Sequence, residues 1–402
     1  MAATNVIRPM SEQQGVGFFA MTPVDVAPGY RYEQKGRYHN YHFTQDNWFW
    51  PEAVKANNRH DASFNMDAFS PNLNKRLHIG HLRQLVLATA YRRLLPNVRF
   101  VALLGKSIGY LPGAMSRLQG WFDFLAYHPA ITMDDMMAEV DKQEDLIPKV
   151  DGEGEYTGCK VWVGPTGPVV VRRSDGTATY ALHDLVFANK VEPRYYVTGE
   201  EQKGHFASLG LADKHLSMGL VLDAATGKKM KSRDGTAMDA DDAMAMVQSK
   251  LSETPDPKKL AWNVLAWNFL HVSRTQNVTF DPAKWTHPDS PGMYITYTYA
   301  RVASALKKAI IETAHRDEFT EGDIALLGMT SYLPYWLNRS YETMNFAGLA
   351  NYVHDLARRL VNAYHAESIK DGRVGFKAAV FTAFTCLGQT MNHLGMFPLE
   401  QV

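Results

Sequence analysis

The sequence predicts an α/β chain: a doubly wound parallel sheet covered by helices, followed by an all-helical C-terminal domain. Three observations predict it. Short apolar strands alternate with amphipathic helical segments between Ser63 and Leu222, the pattern of a parallel sheet with helices on its faces. From Asp241 onward the apolar periodicity is almost wholly helical. A histidine pair follows the first strand and a lysine-rich loop follows the last, where such sheets bind ligands at their strand ends.

The elements follow in order. Residues 1–60 are rich in Tyr, Asn, Gln and Gly and lack helical periodicity, with an aromatic run from Tyr30 to Trp50. They read as an irregular segment packed on the body, its aromatics a packing surface before an RNA-stacking one. Phe64, Met66 and Ala68 alternate with polar residues as in a strand, and Leu82, Leu85, Leu87 and Leu94 mark a helix starting near Gly80. Val98–Leu104 reads as a buried strand, and Thr132 with Asp135 opens a helix over Met133–Leu146. A strand-rich stretch (Lys160–Arg172) turns at Ser174-Asp175-Gly176. Helices at Ala181–Lys190 and Gln202–Lys214 then alternate with strands at Arg194–Thr198 and Ser217–Leu222. Helices are expected at Asp242–Leu251, Pro257–Val272, Tyr294–Ala314, Leu326–Asn338, Phe346–Ala366 and Gly375–Leu394. The domain plan is therefore 1–60, a ligand-binding domain at 61–250 and a helical domain at 251–402.

Composition bounds the function. The 402 residues carry 42 Lys+Arg against 42 Asp+Glu, with 46% hydrophobic residues; this is globular composition and excludes disordered or collagen-like chains. A net charge of zero disfavours a broad basic groove but leaves room for a local phosphate-binding patch. Cys159 and Cys386 form neither a disulfide framework nor a CxxC metal pair. No apolar leader opens the chain and no apolar run is long enough to span a bilayer, so a soluble cytoplasmic protein with no membrane partner is expected.

His78-Ile79-Gly80-His81 lies between a strand and a helix start. Glycine admits a ligand close to the backbone, the helix N-terminus offers free N–H groups, and two imidazoles can donate to phosphate oxygens that gain charge. Gly227-Lys228-Lys229-Met230-Lys231-Ser232-Arg233 follows the last strand. Lysines on a glycine-flanked loop are point charges suited to a triphosphate. Either motif alone also fits a helix cap or a solvated basic turn; together they describe one site, holding an α-phosphate at one end and the leaving pyrophosphate at the other. No G-x-G-x-x-G follows the first strand, so a dinucleotide-dependent dehydrogenase has no support.

From about Asn65 to the C-terminus the chain resembles the class I aminoacyl-tRNA synthetases, and within them the arginyl-tRNA synthetase family. Five ordered blocks carry the resemblance: Ser70-Pro71-Asn72 through His78-Ile79-Gly80-His81-Leu82-Arg83; Arg173-Ser174-Asp175-Gly176-Thr177 with Tyr180 and Asp184; Gln202 with His205-Phe206; Gly219 through Lys231; and Gly292-Met293-Tyr294 through Arg301. The resemblance implies a Rossmann-like catalytic domain followed by a helical anticodon-binding domain. It implies ATP-dependent formation of an aminoacyl-adenylate, arginine as the amino acid and tRNA as the acceptor. His78, His81, Lys229 and Lys231 would be catalytic. His78, Gly80, His81, His205, Lys229 and Met230 would border ATP, with Mg²⁺ carried in on its phosphates. Asp67, Ser70 and Asn72 would hold the amino and carboxylate ends of the amino acid, Tyr180 and Asp184 its guanidinium, and Gln202 would bond it directly. A compact monomer without the separate N-terminal domain used on the tRNA elbow is expected.

The sequence also departs from the family. Gly105-Lys106-Ser107-Ile108-Gly109 stands where the family has a GDWG-type segment, Trp121–His128 replaces a carboxylate-bearing stretch, and Thr296 and Tyr299 replace polar residues of the helical motif. The C-terminal region is no more basic than the whole, so any tRNA contact there is expected to be small and local. Two other readings stay open on these departures: a synthetase-derived ligase using another amino acid or a non-tRNA acceptor, and a non-catalytic RNA-binding paralogue.

Overall fold

The structure, a computed structural model, describes residues 8–10, 17–20, 30–44, 63–103, 111–130, 145, 147–230 and 238–402. Residues 8–42, expected to be irregular, instead contain strands β1 (Arg8–Pro9), β2 (Gly17–Ala20), β3 (Arg31–Lys35) and β4 (Tyr38–His42) in an antiparallel sheet of order β1-β2-β4-β3. The aromatic run is what closes it: Phe18, fully buried, stacks on Tyr41 at 4.8 Å and meets Tyr30 edge-on at 5.2 Å. Such ring pairs supply cross-strand stabilisation that propensity alone does not register.

The chain continues with β5 (Asn65–Asp67), α1 (Ile79–Leu94), β6 (Arg99–Val101), α2 (Ala114–Leu125), β7 (Val150–Asp151), β8 (Lys160–Gly164), β9 (Gly167–Arg172), α3 (Tyr180–Val191), β10 (Pro193–Gly199), α4 (Lys203–Ser208), β11 (His215–Met218), β12 (Val221–Asp223) and α5 (Ala240–Ser249). It ends with α6 (Pro257–Leu270), β13 (Val278–Phe280), α7 (Pro282–Trp285), α8 (Pro291–Leu306), α9 (Glu321–Thr330), α10 (Leu333–Thr343), α11 (Ala347–Ala366) and α12 (Val374–His393). The expected helix at Met133–Leu146 and the Gly105–Gly109 segment lie outside the described residues.

Two compact units result, one from 60–246 with 272–282, the other from 1–59, 247–271 and 283–402. The first is built on a parallel sheet of order β11-β10-β5-β6, with the antiparallel β7-β8-β9 ribbon beside α3 in sequence. Leu82, Leu85, Leu87 and Leu94 are all buried on α1, as their spacing requires. The strand expected at Ser217–Leu222 is interrupted at Gly219, whose N–H donates to the Arg274 carbonyl at 2.9 Å and whose carbonyl accepts from Arg83 at 2.8 Å. β11 therefore pairs with β10, whereas β12 pairs in parallel with β13. That pairing returns residues 272–282 to the first unit, and the sequence-based boundary at 250/251 does not anticipate it. The helix expected over Gln202–Lys214 stops at Ser208, because Gly210 adopts a left-handed φ of +71°.

The second unit is helical and carries the N-terminal sheet. Tyr332 accepts from the Gly17 N–H at 2.8 Å and donates back to the Gly17 carbonyl. The helix expected over Leu326–Asn338 is two helices, since Pro334 sits in the first turn of α10 and cannot continue the α9 hydrogen-bond ladder. The two departures in the helical motif are packed: Thr296 is buried, donates to the Gly292 carbonyl at 3.0 Å and accepts from Asn263, and Tyr299 stacks on Phe384 at 4.5 Å. No helix among the described residues is long and apolar enough to cross a membrane.

Candidate active site

Parallel strands bring their C-terminal ends to one edge of a sheet, and there the first unit opens a 470 Å³ cavity. Asp67 ends β5, Thr198 and Gly199 end β10, Met218 ends β11, and all four line it. This is the crevice in which an open α/β sheet places its ligand.

The HxGH segment builds one wall. His78 is the N-cap of α1 and its Nδ1 accepts the Gly80 N–H at 3.1 Å; the His78 N–H in turn donates to Nδ1 of His81 at 3.1 Å. The rings stack with centroids 3.9 Å apart. Because each Nδ1 is an acceptor, the proton of each neutral ring resides on Nε2. Burial lowers both pKa values, helped by Lys75 at His78 and by His78 at His81. The cavity wall thus carries two neutral N–H donors with fixed tautomers. Gly80 is needed for this wall: a Cβ there would lie 2.8 Å from Cε1 of the His78 ring.

Acidic residues line the same cavity. Asp67 is 5% exposed, and burial, reinforced by the charge of Asp184, pushes its carboxyl up to about 7 against the opposing hydrogen bond from Ser70. That bond is 2.6 Å, and the same Ser70 oxygen accepts the Leu103 N–H at 2.8 Å. Asn72 donates to the hydroxyl of Tyr180 at 2.8 Å. Tyr180 begins α3 at 43% exposure, with Asp184 one turn on, bonded at 2.6 Å to Nε2 of His205. Gln202 also lines the cavity. Uncharged donors suited to phosphate and carboxylate acceptors suited to a cation thus line one cavity.

Lys229 and Met230 line the cavity as well, and Lys229 Nζ lies 3.2 Å from Glu201 Oε1. A turn capped by Asp223 presents them: its carboxylate accepts the N–H groups of Ala225 and Thr226, and Leu222 bridges to Lys229. Lys231 lies outside the described residues. The two motifs are also zipped by backbone bonds on the far side of the loop. The Ile79 N–H donates to the Met238 carbonyl at 3.0 Å, the Ala240 N–H to the Leu77 carbonyl at 2.8 Å, and Arg76 pairs with Asp239 at 2.9 Å.

Residues 295–401 match the DALR anticodon binding domain family. The chain is 32% identical over 238 residues to the arginine--tRNA ligase of Bacteroides fragilis, a match covering 49% of this chain and 40% of that relative. Its fold is similar to the arginyl-tRNA synthetases of Thermus thermophilus (TM-score 0.71, 16% identity, 98% of this chain and 96% of that one) and Plasmodium falciparum (TM-score 0.72, 14%, 100% and 96%). The chain shares the fold of these synthetases. The chain spans about two fifths of the length of the curated relative it matches.

Three features of this candidate site escape sequence reading. Tyr196 and Glu201 line the cavity; Tyr196 is signalled only by strand alternation with Thr198, and Glu201 by nothing but its place beside Gln202. Arg83, the arginine that follows the HxGH block, is fully buried; it donates to the carbonyls of Gly219, Leu220 and Arg274. It thereby pins the backbone that feeds the lysine loop to α1.

Proposed function

We propose that the protein activates arginine with ATP and transfers it to the 3′ end of tRNA. The observation that carries this reading is that His78, His81 and Lys229 line the same 470 Å³ cavity as Asp67 and Asp184. The amino-acid carboxylate attacks the α-phosphorus, a new C–O–P linkage forms, and the bond to the leaving pyrophosphate breaks with its electron pair. The Nε2–H groups of His78 and His81 stabilise the charge that develops on the phosphate oxygens, and Lys229 meets the pyrophosphate once released from Glu201. Asp67 and Asp184 receive the two cationic ends of arginine, Asn72 and Tyr180 shape the entrance, and Gln202 adds a polar contact. A hydroxyl at the tRNA 3′ end then attacks the acyl carbon and expels AMP. Mg²⁺ enters with ATP, held through its phosphates, and the setting that fits these substrates is the cytoplasm. Residues 295–401 are the surface for the anticodon arm.

ATP–pyrophosphate exchange measured with each amino acid, with and without total tRNA, tests the reading. Exchange with arginine supports it; exchange only with another amino acid, or none under either condition, refutes the arginine assignment.

A further inference from the structure

Tyr196 carries a buried hydroxyl with no hydrogen-bond partner among the described residues. The residue is 3% exposed and lines the cavity, and its oxygen makes no hydrogen bond among the described residues. A buried polar atom left unpaired costs free energy unless something else completes it. The register says what is near: Tyr196 on β10 is paired directly with Asp67 on β5, and paired positions project to the same face of a sheet. The ring is clamped, with Phe206 at 5.1 Å and Phe187 at 6.4 Å, so the hydroxyl is held in place without its own bond. Burial, with the charges of Asp67 and Asp184 adding to it, raises the hydroxyl's pKa, which keeps the group neutral. A neutral oxygen beside two carboxylates is suited to accept a hydrogen bond from a cation.

We infer that the Tyr196 hydroxyl is a specificity-determining contact, accepting an N–H of the cationic amino acid bound between Asp67 and Asp184. The inference rests on the arginine reading above. An amino acid whose side chain carries no N–H donor, such as norleucine, offers the hydroxyl no side-chain partner, and a site built to bond side-chain N–H groups rejects such an analogue strongly.

The test is isothermal titration of wild-type protein and Tyr196→Phe with arginine and, separately, with ATP. Phenylalanine keeps the ring packing and removes an oxygen that makes no hydrogen bond among the described residues, so the Tm of the free variant is expected to be equal to or above that of wild type. The arginine Kd should weaken by about 10- to 100-fold, with the ATP Kd within twofold. An arginine Kd within twofold of wild type overturns the contact while leaving the arginine reading standing. Parallel weakening for ATP also overturns it, by showing a general distortion of the pocket. Wild-type protein that binds no arginine removes the arginine reading, and the contact with it.

Discussion

Asp184 Oδ2 and His205 Nε2 are 2.6 Å apart. Sequence reasoning assigns the first to the amino acid and the second to ATP, but the fold makes them one hydrogen-bonded unit. The imidazole at the start of α4 fixes the orientation of the carboxylate on α3. His205→Ala should therefore raise the KM for arginine about 10-fold, in the range of a lost hydrogen bond to a charged group, with a smaller change for ATP. Steady-state exchange kinetics in both substrates decide this, and a change confined to ATP would return His205 to the nucleotide side alone.

On the proposed reading His78 both caps α1 and donates to the phosphate, and the two roles are separable. His78→Asn keeps a side-chain oxygen able to cap α1 but removes the Nε2–H donor. It should retain most of the wild-type Tm yet lower kcat for adenylate formation by about 100- to 1,000-fold, the typical effect of losing one transition-state donor. Gly80→Ala, which drives a Cβ into the His78 ring, should depress kcat comparably. Thermal unfolding beside pre-steady-state kinetics would expose an error: equal loss of Tm and kcat in His78→Asn means the role is structural only.

Asp67 makes stability and binding respond to pH in opposite senses. Its carboxyl is raised from 3.8 to about 7 in the fold, so the folded state retains a proton that the unfolded chain releases. The favourable contribution is complete below pH 3.8, declines as pH rises, and is gone above about 7. Asp67→Asn should thus have the higher Tm at pH 8 and converge with wild type near pH 4. Arginine, being cationic, needs the carboxylate, so its affinity should rise from pH 6 to pH 8 in wild type and stay flat in Asp67→Asn. A flat wild-type profile would contradict the assignment.

On the proposed reading, Glu201, 3.2 Å from Lys229, would compete with pyrophosphate for it. The pair is partly exposed, so it adds little to stability. Glu201→Gln should leave the Tm unchanged and lower the KM for ATP about 2- to 5-fold, the equivalent of releasing a surface ion pair. A raised KM would mean that Glu201 instead holds the lysine in its productive position.

The N-terminal sheet depends on Tyr332, whose hydroxyl bonds both the N–H and the carbonyl of Gly17. Tyr332→Phe leaves two buried backbone groups without that partner and should cost about 1–3 kcal/mol. Chemical denaturation monitored by the near-ultraviolet aromatic signal measures this directly.

The sequence alone determined the parts of the molecule that repeat a local period or a contiguous motif. The α1 leucines, the strand at Asn65–Asp67 and the two signature segments are legible because side-chain spacing reports burial and capping chemistry reports helix starts. The cavity residues that lie in the quoted motifs, among them His78, Asp184 and Lys229, were singled out through motif resemblance, which carries residue types but no distances. Only the tertiary structure decided the rest. It paired Arg8–Pro9, Gly17–Ala20, Arg31–Lys35 and Tyr38–His42 into a sheet with rings that meet across strands, and it returned Val278–Phe280 to pair with Val221–Asp223. It also joined Asp184 to His205 and set Tyr196 beside Asp67. These relationships link residues distant in sequence, or on different strands and helices, through pairing and burial, and no local pattern encodes which strands become neighbours.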